Sequence, residues 1–137
     1  MGEACQDKQA VQYTTNIRPP GDALRALFQA AWDEPGYDDP AAVLSRSLCF
    51  VCAWCGNTLI GFVNVAWDGG IHASIFDTCV HPSYRRQGIG TALVRRAATE
   101  AGRRGARWLH VDFEPQLGDF YRGCGFAPTA AGLIRLT

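Results

Sequence analysis

The chain has 137 residues, of which 47% are hydrophobic, and a formal net charge of zero; this suits a single soluble domain with room for its own core. No stretch is long and apolar enough to span a membrane, no secretory leader is evident and Gln6 spoils a myristoylation start, so the expected location is the cytoplasm. The charge is lopsided, with four basic and eight acidic side chains in residues 1–70 but nine and five in residues 71–137; the basic half suits an anionic ligand, while the lack of a long basic run with interleaved aromatics argues against nucleic acid.

Residues 1–10 are polar and expected to be loose, leaving one domain over residues 11–137. Residues 11–17 alternate and are rich in β-formers, which predicts a first strand. Pro19-Pro20-Gly21 ends it, and Asp22 is a candidate N-cap. The helix that follows places Leu24, Leu27, Phe28 and Ala31 on one side and ends near Trp32. Residues 33–40 form a loop with four carboxylates (Asp33, Glu34, Asp38 and Asp39), the aromatic Tyr37 and two prolines. A short second helix is expected over residues 41–48. Residues 49–55 and 59–67 read as two strands joined by a Gly56-Asn57 hairpin.

The first of these strands contains Cys49-x-x-Cys52-x-x-Cys55, which resembles a ligand set. A strand sends alternate side chains to opposite faces, so Cys52 points away from Cys49 and Cys55 and no single ion could collect all three. No later cysteine pair at ligand spacing completes a site. We therefore expect no metal. Disulfides are not expected without an export signal, and the cysteines read as small buried hydrophobes.

Residues 75–80 are apolar and β-branched, a strand leading into a short turn punctuated by Pro82. Gln87-Gly88-Ile89-Gly90-Thr91 then opens a long helix, with Ile89, Leu93, Ala97 and Ala101 on one stripe and Arg95, Arg96, Thr99, Arg103 and Arg104 on the other. Two glycines allow a ligand to approach the backbone closely, and the free N–H groups at a helix start favour an anion. Arg85 and Arg86 add guanidinium groups shaped for phosphate oxygens. Together these features predict a diphosphate site. It is not a P-loop, because the only lysine is Lys8. Nor is it a dinucleotide fingerprint, because Leu93 stands where a third small residue is needed. Gly102 and Gly105 bracket the helix end. A strand over residues 107–113, a short helix over 117–122 and a C-terminal β region at 132–137 complete the order β-α-α-β-β-β-α-β-α-β. That order indicates an α/β (α+β) domain around one mixed sheet.

Arg85-Arg86-Gln87-Gly88-Ile89-Gly90 resembles the R/Q-x-x-G-x-G/A motif of the GNAT superfamily of N-acetyltransferases. About thirty residues later, Phe120-Tyr121-Arg122-Gly123-Cys124-Gly125-Phe126 resembles that family's F-Y-x-x-x-G-F. The resemblance spans nearly the whole chain, although the first strand and helices carry it only by pattern. It implies a single domain whose central, mostly antiparallel sheet is flanked by helices. It also implies acetyl transfer from acetyl-CoA to a primary amine by direct attack in a ternary complex.

On this reading Arg85, Arg86, Gln87, Gly88, Ile89, Gly90 and Thr91 hold the diphosphate. The strand carrying Cys79 and Val80 splays from its neighbour, and their main chain pairs with the pantetheine arm. Tyr121 matches the tyrosine that protonates the departing sulfur. The general base is Asp77, Glu114 or a water relay; Asp112 shares Glu114's face, and Glu114 stands where relatives often carry an asparagine that binds the cofactor. The loop at 33–40 borders the acceptor pocket, where Asp33, Glu34 and Asp38 would suit a cationic small-molecule or peptide amine. An acyl-cysteine route through Cys79 and His81 is the rarer scheme. Two further readings are a non-catalytic acyl-CoA-binding domain and an enzyme acting on protein N-termini or lysines. An exposed C-terminal strand would support a homodimer.

Overall fold

The computed structural model describes residues 10–137, so the loose segment expected at the N-terminus lies, except for Ala10, outside the described residues. Strands β1 (Val11–Thr15), β2 (Ser47–Cys55), β3 (Thr58–Trp67), β4 (His72–Val80) and β5 (Trp108–His110) form one sheet in that order. The first four run antiparallel, with short turns joining β2 to β3 and β3 to β4, and β5 joins β4 in parallel after the helical crossover. Helices α1 (Gly21–Trp32) and α2 (Pro40–Ser45) precede β2, α3 (Ile89–Arg103) links β4 to β5, and α4 (Gly118–Gly123) follows. No helix among the described residues is long and apolar enough to cross a membrane.

Strand alternation divides the core in two. Along β2, Cys49, Val51, Ala53 and Cys55 face the layer built by α3, whereas Phe50 and Cys52 face α1 and α2. The cysteines therefore separate as their period-two spacing dictates. On the α3 side, Ile89, Leu93, Ala97 and Ala101 form the expected buried stripe, joined by Val94. On the other side Leu24, Leu27 and Phe28 of α1 are each 1% exposed, and each such burial contributes about 1.5–3 kcal/mol. Cys49, Cys52, Cys79 and Cys124 are free thiols, but Cys55 is disulfide-bonded, contrary to the sequence expectation of thiols throughout.

Four elements differ from the sequence reading. The second helix, expected over residues 41–48, ends at Ser45, and Ser47 and Leu48 join β2 instead. Helix α1 begins at Gly21 behind Pro20, and Asp22 falls in its first turn rather than capping it; proline's fixed φ already suits a helix start. The strand expected over residues 107–113 keeps a ladder only at Trp108–His110. The β region expected at 132–137 is not a strand. Leu133, Ile134 and Leu136 are 84%, 85% and 90% exposed, and with β5 ending at His110 no neighbouring ladder extends to pair them. The last element of the predicted order is thus missing.

Candidate active site

The site begins where β4 loses one neighbour. Parallel pairing with β5 stops at Ser74↔His110, while β4 continues to Val80 against β3. On the β3 side the register shifts between Asn64↔Phe76 and Phe62↔Cys79, so Asp77 and Thr78 together oppose Val63 in a β-bulge. Asp77 takes φ 61°, a left-handed conformation that aspartate tolerates better than most residues. Beyond the bulge the His81 N–H donates to the Ile60 carbonyl at 2.8 Å. Antiparallel ladders alternate, so Cys79 turns its main-chain groups toward Phe62 and Val80 turns its own toward the gap left by β5. The splay expected of this strand is present, but of the two residues only Val80 offers its backbone to the gap.

That gap opens into a cleft of about 600 Å³, lined by Thr78, Cys79 and Val80 of β4, Gly88 to Thr91 at the start of α3, Arg85 and Arg86 before it, Phe120 and Tyr121 of α4, and Ala31 and Trp32 at the end of α1. Helix α3 starts from Gly88, which has φ 77° and provides no side-chain cap. The first amide of the helix bonded to Gly88 is that of Ala92, which leaves the preceding N–H groups without intrahelical partners. Arg86 also has a left-handed backbone, with φ 63°. One buried oxygen beside the cleft, Gln87 Oε1, has no hydrogen-bond partner among the described residues. Orphaned donors at a helix start, two exposed arginines and an unpaired buried oxygen fit a polyanionic ligand with a polar arm.

Tyr121 is buried in an aromatic cluster, with ring centroids 4.8 Å from Phe113, 4.9 Å from Phe120 and 5.8 Å from Phe126. Burial raises its phenol above the ordinary value, and the neighbouring Thr78 hydroxyl pulls the other way. The group is therefore protonated at neutral pH and able to donate. Cys79 is unsuited to act as a nucleophile: burial, then the nearby Asp77 charge, pushes its thiol well up, whereas a reactive cysteine needs a depressed value. His81 Nδ1 accepts from the Ser83 N–H at 3.1 Å, as a turn residue would.

The two candidate bases sit in different settings. Glu114 is exposed and accepts a hydrogen bond from the Gln116 amide. Asp77 is half-buried and accepts from the Tyr37 hydroxyl. Asp77 is absent from the cleft wall, but its neighbour Thr78 lies in it. In the acidic loop, Asp33 is the left-handed C-cap of α1 and accepts from Gln29, while Asp39 caps α2 through the Ala42 N–H at 3.1 Å. Both have structural work, and only Glu34 and Asp38 remain as exposed charges without a described partner. The sequence reading passed over Tyr37, Asn64, Thr78 and Trp32 as site residues. One signal was available for Asn64, the lone amide in the otherwise apolar run Leu59-Ile-Gly-Phe-Val-Asn-Val of β3.

A model of the acetyltransferase (GNAT) family matches residues 20–126. The chain belongs to that family. The GNAT chain is 26% identical to a mycothiol acetyltransferase of Mycobacterium avium over 110 residues, which is 80% of this chain and 34% of that protein. It spans between 19% and 34% of the length of the curated relatives it matches. Among solved structures, a GNAT family protein from Streptococcus pneumoniae superposes with a TM-score of 0.75 at 26% identity, covering 93% of this chain and 98% of that one. An aminoglycoside N-acetyltransferase solved with CoA shares the fold at a TM-score of 0.74 and 18% identity, covering 93% and 94% of the two chains. The single mixed sheet flanked by helices is thus the GNAT fold, and the family is one of acyltransferases.

Proposed function

We propose that this chain moves an acetyl group from acetyl-CoA to a primary amine by direct attack within a ternary complex. The observation that carries the reading is the splay of β4 from β5, which opens a cleft running from the uncapped start of α3 to Tyr121. The diphosphate of the donor substrate fits the α3 start with Arg85 and Arg86. Gln87 to Thr91 supply backbone and side-chain donors, and the pantetheine arm follows the Val80 main chain. A backbone N–H along β4 would polarise the thioester carbonyl.

The amine arrives as an ammonium and gives one proton to a carboxylate; Asp77 is favoured over Glu114 because it is half-buried beside the β4 bulge. Its nitrogen then attacks the thioester carbon, the C–N bond forms and the C–S bond breaks. Tyr121 donates a proton to the departing thiolate, and the proton lost by the new amide nitrogen restores the balance. A water relay to Asp77 or Glu114 meets the same requirement.

The acceptor is read as a small amine, supported by the exposed carboxylates Glu34 and Asp38 in the loop that follows Trp32 and by relatives named for aminoglycosides and mycothiol. The test is thiol release from acetyl-CoA with spermidine, glucosamine, sisomicin and a peptide bearing a free N-terminus. Turnover with one of the first three supports the reading, and turnover of the peptide alone moves the acceptor to protein. Binding of CoA with no turnover of any amine would leave a binding domain and overturn it.

A further inference from the structure

The loop between α1 and α2 is fastened to the sheet at one side chain. Gly36 has φ 77°, and a Cβ there would lie 1.8 Å from Phe28 Cδ2. This close approach lets the next residue, Tyr37, pack edge-on against Phe28 at 5.3 Å and near Phe62 at 6.4 Å between ring centroids. The ring so fixed aims its hydroxyl at the β4 bulge, where it donates to Asp77 Oδ2. The same hydroxyl accepts from Asn64 Nδ2 at 3.4 Å, and Asn64 Oδ1 accepts from Ser47 Oγ. Asn64 is 4% exposed and is the one buried polar side chain among the described residues, so the chain of bonds is anchored in the core. Burial, reinforced by the Asp77 hydrogen bond, raises the Tyr37 phenol above its ordinary value, which keeps it protonated as a donor. Among the described residues Oδ1 of Asp77 has no hydrogen-bond partner.

We propose that Tyr37 is a positioning residue for acetyl transfer: held by Asn64 and by two aromatic rings, it locks one oxygen of Asp77 and leaves the other directed to the amine. The inference rests on the acetyltransferase reading given above and adds to it the residue that orients the base. A carboxylate in a bulge has its backbone set by the register shift but its χ angles free, and a hydrogen bond from a rigid donor restricts that freedom. It also explains why the acceptor-side loop carries one half-buried aromatic among its acidic residues. The loop is tied to the base, so the binding and proton-transfer parts of the site are built on one anchor.

The test is a double-mutant cycle with Tyr37→Phe and Asp77→Asn, assayed with acetyl-CoA and whichever panel amine is turned over fastest. Tyr37→Phe keeps the ring packing and removes only the hydroxyl. The expected result is a fall in kcat of about ten- to a hundredfold, the range typical when a partner orienting a reacting or ligating group is lost, with the KM for acetyl-CoA unchanged. In the Asp77→Asn background the same substitution should cost nothing further, because Tyr37 acts through Asp77. A merely structural role predicts instead a lower melting temperature and equal losses in both backgrounds, which would overturn the proposal. Wild-type kcat in Asp77→Asn would also overturn it, whether or not Tyr37→Phe folds. A wild-type chain that turns over no amine defeats the acetyltransferase reading itself, and this inference with it; turnover with unchanged kcat in Tyr37→Phe defeats only the inference.

Discussion

At the scale of single residues, the proposed chemistry divides between two hydroxyl-bearing rings on either side of β4. Tyr121 meets Thr78 from the α3–α4 side, and Tyr37 meets Asp77 from the α1–α2 side. Tyr121→Phe should lower kcat about 10²–10⁴-fold, the range for a positioned acid, while CoA binding by calorimetry stays within twofold. A loss confined to kcat marks an interaction made only in the transition state. The pH dependence has a definite sign. Burial raises the Tyr121 phenol above 10.0, so the acid is present throughout the neutral range and is lost only as pH rises past that value. The basic limb of the kcat profile should therefore lie above pH 10, and a limb near pH 8 would assign the proton to another group. Thiol labelling offers a separate check. Burial pushes Cys49 up to about 11 and Cys52 up to about 12, whereas Cys124 is partly exposed. Of the four free cysteines among the described residues, Cys124 should be alkylated first at pH 8, by peptide mapping.

At the scale of elements, two glycines hold conformations that other residues resist. Gly88 begins α3 at φ 77°, so Gly88→Val strains the turn and covers the approach to the helix amides. Its main effect should be a loss of CoA affinity, measured by titration calorimetry. Gly36→Ala acts elsewhere, because its Cβ collides with Phe28. It should cost more than about 1 kcal/mol in chemical denaturation, beyond the usual scale of a compatible glycine replacement. The acidic loop separates in the same way. Asp33 and Asp39 cap helices, so their neutral variants would confuse stability with binding. Glu34→Gln with Asp38→Asn is the cleaner probe. It should raise the KM for a cationic amine, leave that for acetyl-CoA alone, and lose its effect in high salt, since screening acts over about 8 Å at 0.15 M. Equal KM values for the double variant and wild type would make the loop plain surface.

At the scale of the whole molecule, the sheet is wedge-shaped in function: four antiparallel strands carry both cores, and the short parallel strand β5 opens the cleft by ending early. A ligand that fills this gap binds only the folded chain. Saturation with acetyl-CoA at a hundred times its dissociation constant should stabilise the fold by about 2.7 kcal/mol. For a domain of this size the melting temperature should rise by several degrees, read by calorimetry. An unchanged melting temperature would remove acetyl-CoA from the site. The exposed Leu133, Ile134 and Leu136 belong to this scale too. They contribute no described strand, so the C-terminal β region expected from the sequence is not formed.

Local rules were enough to read much of this protein from its sequence. Period-two alternation placed Cys52 on the face opposite Cys49 and Cys55. The 3.6-residue period gave the buried stripe of α3, and glycines at a strand-to-helix junction marked the uncapped helix start that lines the cleft. These are consequences of neighbouring residues, and neighbours are visible in a sequence. The tertiary structure decided what depends on partners far along the chain. Asp77 and Glu114 looked alike until the fold set one in a bulge beside Tyr37, forty residues away, and left the other in solvent. Val80 could be separated from Cys79 only by the register with β3, which fixes the direction of each amide. The length of β5 and the missing C-terminal strand were set by whether a ladder existed to join, because a strand's backbone groups are satisfied by another strand and not by its own residues.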